Sequence, residues 1–217
     1  LGGPVSSNNG SIELYQADSG GIFTLANNVN SLSGDIRILS DGDLVVNTGV
    51  VIGGQTTGAI TLSADAGGVG TGGLTLTGTA TVGNAQNASV ITLQSASVVI
   101  PATSSILQGA GTVVLRPSTL DADIDLGTVA GGVAPFSISA AEFGRIFSSG
   151  IVQVGAESQV GDTNIGTLSL TANTFSTLKL VGSSASSALL GANTSWRTFG
   201  IGLDFDINVD LGNSLLV

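Results

Sequence analysis

One phrase restarts along this chain and limits what it can fold into. It is Gly-x-Ile-x-Leu, written Gly10-Ser-Ile12-Glu-Leu14, Gly34-Asp-Ile36-Arg-Ile38, Gly58-Ala-Ile60-Thr-Leu62, Ser89-Val-Ile91-Thr-Leu93 and Gly111-Thr-Val113-Val-Leu115. Its third residue falls at positions 12, 36, 60, 91 and 113, hence at spacings of 24, 24, 31 and 22. Restarts at this interval, with variable insertions, are the mark of a repeat architecture in which extra length goes into loops. Within one repeat, Gly34–Gly54, three alternating apolar segments (Ile36/Ile38, Leu44/Val46, Val50/Ile52) are separated by Ser, Asp, Asn, Thr and Gly. Alternation of period two is a strand signal, and the residues between are turn formers.

Each opening strand is followed by a second (Ile22–Leu25, Leu44–Val46, Leu74–Leu76, Val98–Ile100) and by a weaker third (Val50–Ile52, Thr79–Val82, Ile106–Leu107). About three short strands per coil predict an all-β chain, a right-handed parallel β-helix or β-solenoid. A sandwich of antiparallel hairpins also gives short strands at regular spacing, but it has no reason to restart with one phrase. The expected organisation is a lead-in over residues 1–9, a shaft over 10–181 and a C-terminal loop and strand over 182–217. Within the shaft, 116–163 reads as a decorated, irregular coil. There, Ser139 with Glu142 three residues on forms a capping box, predicting a short helix near 139–147 that Ile146 and Phe147 pin to the shaft. The phrase Gly166-Thr-Leu168-Ser-Leu170 predicts that the stack then continues.

Composition agrees with narrow aliphatic rungs: 33 glycines, 4% aromatic and 9% charged residues, against roughly a quarter charged in an ordinary soluble domain. No apolar run reaches the ~18 residues of a membrane helix, so no membrane span is expected. The net charge is −10 and the five cations are dispersed, which argues against nucleic acid as a partner. Without Cys or His, the usual nucleophilic triads and zinc sites are excluded. Absence of Met, position 1 included, reads as a mature or excised product.

At the Gly-x-Ile-x-Leu rungs the chain resembles the repeat region of filamentous-haemagglutinin-like large secreted bacterial exoproteins. More specific likeness lies at Ile124-Asp-Leu126-Gly127, Phe136-Ser-Ile138-Ser-Ala-Ala-Glu142-Phe-Gly-Arg-Ile146 and Val152-Gln-Val154-Gly155. The resemblance spans roughly residues 10–181. It implies a right-handed parallel β-helix, secreted and displayed at the cell surface, with adhesion, aggregation or matrix building as its activity. That family's secretion domain carries Asn-Pro signatures, where this chain has only Asn8-Asn9-Gly10. The expectation is therefore a piece of shaft.

No catalytic or cofactor-binding residue emerges, and the chain is expected not to be an enzyme. Weak calcium candidates are Asp204, Asp206 and Asp210, with Asp121, Asp123 and Asp125 behind them; the bland reading is the solvated face of an alternating strand. Asn9, Asn87 and Asn193 match the N-glycosylation pattern, and Thr75, Thr77, Thr79 and Thr81 suggest a flat Thr face or simply β-propensity. Gly202–Leu211 alternates strictly, which places Phe205, Ile207, Val209 and Leu211 on one face as self-assembly candidates. Neither end offers a polar cap of the kind solenoids need: the chain was cut from a longer shaft, or its ends are covered by other copies. The function expected is a secreted structural or adhesive solenoid of the bacterial surface or extracellular matrix, forming homo-oligomers or filaments and contacting cell-surface glycans or other cells. The alternative is a glycan-binding or polysaccharide-cleaving β-helix.

Overall fold

The computed structural model describes residues 3–87, 89–127, 135–170, 175–190, 196–197, 201–206 and 208–210. Its strands wind into successive coils. The first three coils hold Val5–Ser7 (β1), Ile12–Gln16 (β2) and Ile22–Leu25 (β3); Val29–Ser31 (β4), Ile36–Ser40 (β5) and Asp43–Val46 (β6); and Val51–Ile52 (β7), Ile60–Ser63 (β8) and Gly73–Leu76 (β9). The fourth holds Thr81–Gly83 (β10), Ile91–Ser95 (β11) and Ser97–Val99 (β12). The fifth holds Ser105–Gln108 (β13), Thr112–Pro117 (β14), Ile124–Leu126 (β15), Phe136–Ile138 (β16) and the helix Ala140–Phe143 (α1). The last three hold Ile146–Ser148 (β17), Ile151–Gly155 (β18) and Thr163–Ile165 (β19); Leu168–Ser169 (β20), Thr177–Val181 (β21) and Ser187–Leu190 (β22); and Trp196–Arg197 (β23), Gly202–Asp206 (β24) and Asn208–Asp210 (β25).

Each coil lays its strands beside those of the coil before, always parallel. The longest result is an eight-stranded sheet, β2-β5-β8-β11-β14-β18-β21-β24. This is a parallel β-helix, and the repeated phrase is its ladder: Ile12, Ile36, Ile60, Ile91, Val113, Val152, Leu178 and Leu203 are consecutive register partners. A strand this short buries only alternate residues, as in β5, where Ile36, Ile38 and Ser40 point in and Arg37 points out. Stacking joins these half-buried sets into one aliphatic core, with Ile36, Ile60, Ile91, Val113, Val152 and Leu178 all at 0% exposure. Parallel strands of this kind sit about 4.8 Å apart.

That spacing explains the Gly of the phrase. A Cβ on Gly34 would run into the backbone of Gly10, one on Gly58 into that of Gly34, and one on Gly150 into the carbonyl of Gly111. At these positions of the corner before the long sheet, the backbones of adjacent coils approach too closely for a Cβ. The second corner repeats this, with Gly42 over Gly21 and Gly72 over Gly42.

Several expectations need revision. Val5–Ser7, read as lead-in, is a strand paired with β4, and neither was legible because three residues show no period. The short helix expected near 139–147 is present as a single turn of four residues; its capping box is formed, Ser139 Oγ accepting from Glu142 N and Glu142 accepting from Ser139 N. Phe143 pins it, buried and tilted against Phe175 with ring centroids 6.1 Å apart. Phe147 instead points outward from β17, 44% exposed. The phrase at 166–170 does not join the long sheet: Leu168 pairs with Trp196, and Leu178/Leu180 continue the column.

The decorated coil also inverts strand order. On the third face, β16 pairs with β15, which pairs with β19, so the later strand lies outside the earlier one, on the β12 side. Glu142 ties this insertion to the fourth coil by accepting from Ile100 N at 3.2 Å.

The corner clash predicts a contrast. Gly150→Ala should destabilise by at least the ~1–3 kcal/mol of an overpacked core site, whereas Gly3→Ala, with nothing within 4 Å of its Cβ, should leave the melting midpoint unchanged. Thermal unfolding by circular dichroism compares the two, and equal midpoints would refute the packing argument.

Candidate functional site

The polar chemistry of this chain is concentrated at the corners, where it staples coil to coil. At the first corner, Ser31 Oγ donates to Gly10 O (3.0 Å), Thr56 Oγ1 to Gly34 O (2.9 Å), Asn87 Nδ2 to Gly58 O (3.0 Å), Ser148 Oγ to Gly109 O (3.0 Å) and Ser176 Oγ to Gly150 O (2.7 Å). In every case the donor belongs to the later coil and the carbonyl to the earlier one. The same side-chain oxygens accept locally, as from Gly34 N to Ser31 and Gly58 N to Thr56. Ser31, Thr56 and Asn87 are buried, and a turn whose backbone groups are buried must find partners for them. The glycine that permits the close approach also leaves a carbonyl facing upward, and the hydroxyl or amide above satisfies it.

A second set runs the other way in chemistry and the same way in space. Side-chain oxygens of one coil accept from backbone N–H groups of the next: Asn28 from Val51 N, Asp35 from Ala59 N, Asp43 from Gly73 N, Asp123 from Asp162 N and Asp162 from Ser187 N, each at 2.8 Å.

The most buried acid is Asp65, at 0% exposure and with φ of +54°, the one non-Gly residue with positive φ among those described. An Asp tolerates this conformation because its short side chain bonds locally. Its carboxylate accepts from Val69 N (2.9 Å) and Gly70 N (2.7 Å), closing the loop inserted in the third coil, and from the Ser118 hydroxyl two coils on. The sequence offered no sign of this role, since Ser118 is 53 residues away.

The structure separates the calcium candidates. The single strand expected over 202–211 is two: β24 lies in the eight-stranded sheet and β25 in the third-face sheet. Asp204 and Asp206 project from β24, with Asp206 ion-paired to Lys179 at 3.3 Å, while Asp210 belongs to β25. Asp123 and Asp125 act as staples, Asp125 accepting from Asn164 Nδ2 at 3.0 Å, and Asp121 is exposed. No group of three or more metal-ligating side chains occurs among the described residues. Of the self-assembly candidates, Phe205 is half-buried in the inward column of Leu180; Val209 lies on β25, and Ile207 and Leu211 fall outside the described residues.

Asn9 is exposed, Asn87 is buried with its amide donated to Gly58, and Asn193 lies outside the described residues. Glycosylation of Asn87 is therefore incompatible with the folded chain. The four threonines wrap a corner from β9 to β10 and bond along the stack, Thr77 to Val46 O and Thr81 to Ser105, so they form no flat lattice. Tyr15 lies on β2 in the first coil and Trp196 on β23 in the last.

Two surface pairs lie at the start of the long sheet. Arg37 Nη1 meets Glu13 Oε2 at 2.6 Å, both half exposed. Tyr15 donates its hydroxyl to Asp41 Oδ2 at 2.7 Å. That hydrogen bond, then desolvation and the carboxylate charge, holds the phenol above its ordinary value of 10.0.

Comparison with protein-family models, with curated proteins and with solved structures finds no match for this chain. The class stands on geometry alone: a parallel β-helix whose corners are stapled by side chains.

Two predictions follow from these contacts. Asp65→Ala leaves two backbone N–H groups and the Ser118 hydroxyl without their acceptor, and should cost at least about 3 kcal/mol at about 1–3 for each of the three unsatisfied groups. Limited proteolysis should then cut within 66–72 faster than in the parent, and an unchanged cleavage rate would count against the assignment. Asp41→Asn should lower the Tyr15 titration midpoint toward its ordinary value. The chain has one Tyr, so tyrosinate absorbance reads it directly. Because the folded phenol's pKa is raised, its contribution to stability is present below the unfolded value and is lost as pH rises through the folded one.

Proposed function

We propose that this chain is a secreted, non-enzymatic β-solenoid with a structural or adhesive role at the bacterial surface or in extracellular matrix, and that it self-associates end to end. One observation carries the reading: the long sheet runs unbroken through eight strands while coil length varies around it. Seven inter-strand steps make this face about 34 Å tall at about 4.8 Å per step, and it is held by backbone ladders, aliphatic columns and corner staples. Such a sequence is accounted for by stacking. A rigid parallel stack presents long faces of short polar and aliphatic side chains, Thr61, Thr92 and Gln153 among them, which suits display and contact with other surfaces. The resemblance of the repeated phrase to large secreted exoproteins points the same way.

Self-association is supported by the aliphatic columns. Of the half-buried apolar residues packed on the core, Val5, Leu14 and Phe23 belong to the first coil and Leu203 and Phe205 to the last. In the coils between, the same columns are buried.

Sedimentation velocity over a concentration series, with electron microscopy of the same samples, tests the reading. Mass should rise with concentration and elongated particles should appear. A monomer at every concentration would reject self-association, and specific binding to one member of a glycan panel without assembly would favour the carbohydrate reading.

A further inference from the structure

The side-chain staples at the first corner share one direction. Hydroxyl and amide donors of the later coil meet carbonyls of the earlier one, as in Ser31 to Gly10 and Asn87 to Gly58. At that corner one rim of a coil therefore offers carbonyls upward and the other offers side-chain donors downward. Ser7 stands in the Ser31 column at the lower rim of the first coil. Two lower rims brought together would set donor against donor and would oppose the winding of the strands. Only a coil oriented like all the others reproduces the internal contact.

The columns also set the register. Leu203 ends the column that begins at Ile12, and Phe205 ends the one that begins at Leu14. The outward column between them begins at Glu13 and ends at Asp204. Inside the chain its neighbours are compatible: Glu13 meets Arg37, Thr61 meets Thr92, and Gln153 meets Lys179. Joining its two ends would instead place Asp204 against Glu13, and like charges directly opposite on adjacent strands repel. The groups flanking this pair are Arg37 beside Glu13, and Lys179, which is bonded to Asp206, beside Asp204.

We propose that a second copy of this chain stacks head to tail on the first, with Ile12 and Leu14 of one copy over Leu203 and Phe205 of the other, and that apposed Glu13 and Asp204 keep this joint weak at low salt. The occupant is a second copy because the interface it completes continues the coil-on-coil contact already present throughout the chain. The proposal rests on the self-association reading and adds its polarity, its register and its electrostatic gate.

The test is charge reversal. Glu13→Lys turns the joint pair from like to opposite and should tighten association about tenfold at low salt, the order expected when a repulsive cross-strand pair becomes an attractive one. Added salt should strengthen association of the parent chain and weaken that of Glu13→Lys. Glu157→Lys changes the net charge equally on an exposed mid-shaft loop and controls for general repulsion. The double variant Glu13→Lys/Asp204→Lys restores like charges and should fall back to the parent affinity. Circular dichroism confirms that each variant is folded. If Glu157→Lys tightens association as much as Glu13→Lys, or the double variant stays tight, the joint is wrong while self-association stands. If parent and variants all remain monomeric at every salt concentration, both fall.

Discussion

The close approach of one coil's backbone to the next governs the rest of this structure. Parallel strands about 4.8 Å apart leave room for side chains where the chain runs straight, because successive residues alternate in and out. At a corner there is no such alternation, and the backbone of one turn lies directly on the turn beneath. Gly34 on Gly10, Gly58 on Gly34 and Gly150 on Gly111 are the outcome at one corner, and Gly42 on Gly21 and Gly72 on Gly42 at another. Where the column carries Ser89 in place of Gly, its hydroxyl donates to Thr57 O of the coil below at 2.8 Å. Insertions such as 64–72 must leave the stack outward, and this one is closed by its own Asp65.

The same approach creates a polar problem, and the corner residues solve it. A backbone group buried without a partner costs about 1–3 kcal/mol, and every added coil brings new ones. Ser, Thr and Asn at the first corner accept from their own coil and donate to the previous one, and Asp and Asn at the strand starts accept from the next. Few of the polar residues that look available for chemistry in the sequence are available in the fold. Asp123, Asp162, Asp43 and Asp35 each hold a backbone N–H of the following coil. A row of aspartates in a solenoid is in this sense an extension of the backbone ladder.

How much of this was legible depends on range. The column Ile12–Ile36–Ile60–Ile91–Val113 could be read because a five-residue strand with three inward positions leaves a period, and the capping box of Ser139 and Glu142 because both partners lie within one turn. The strands β1, β4 and β19 are three residues long and leave no period. The reversal of β15 and β16 places a later strand outside an earlier one, which no local pattern encodes. The segment 202–211 keeps a strict alternation across a corner, so one sequence run became two strands on different sheets. The candidate site fared worse for the same reason. Whether an Asp is solvated, ligating or stapling is decided by a residue 24 to 53 positions away.

Charge placement completes the account. With only five cations in 217 residues, attraction between side chains cannot be a general cohesive force, and the stack depends on apolar columns and backbone bonds. Two of the cations sit where acids would otherwise crowd: Arg37 on Glu13 and Lys179 on Asp206. Both pairs lie on the long sheet, next to its first and last strands. Exposed ion pairs contribute little to stability, typically about 0–1 kcal/mol, so their value to the fold is small. Their position matters more. An exposed parallel edge is a template for any other strand, and charges on edge strands are the usual deterrent. Glu13 on β2 and Asp204 on β24 put acids at the two outer strands of this sheet among the described residues, while the interior strands carry Arg37, Thr61, Thr92, Val114, Gln153 and Lys179 at the same position. Fold stability and control of the edges are thus divided between different residues of the same strand, the inward ones and the outward ones.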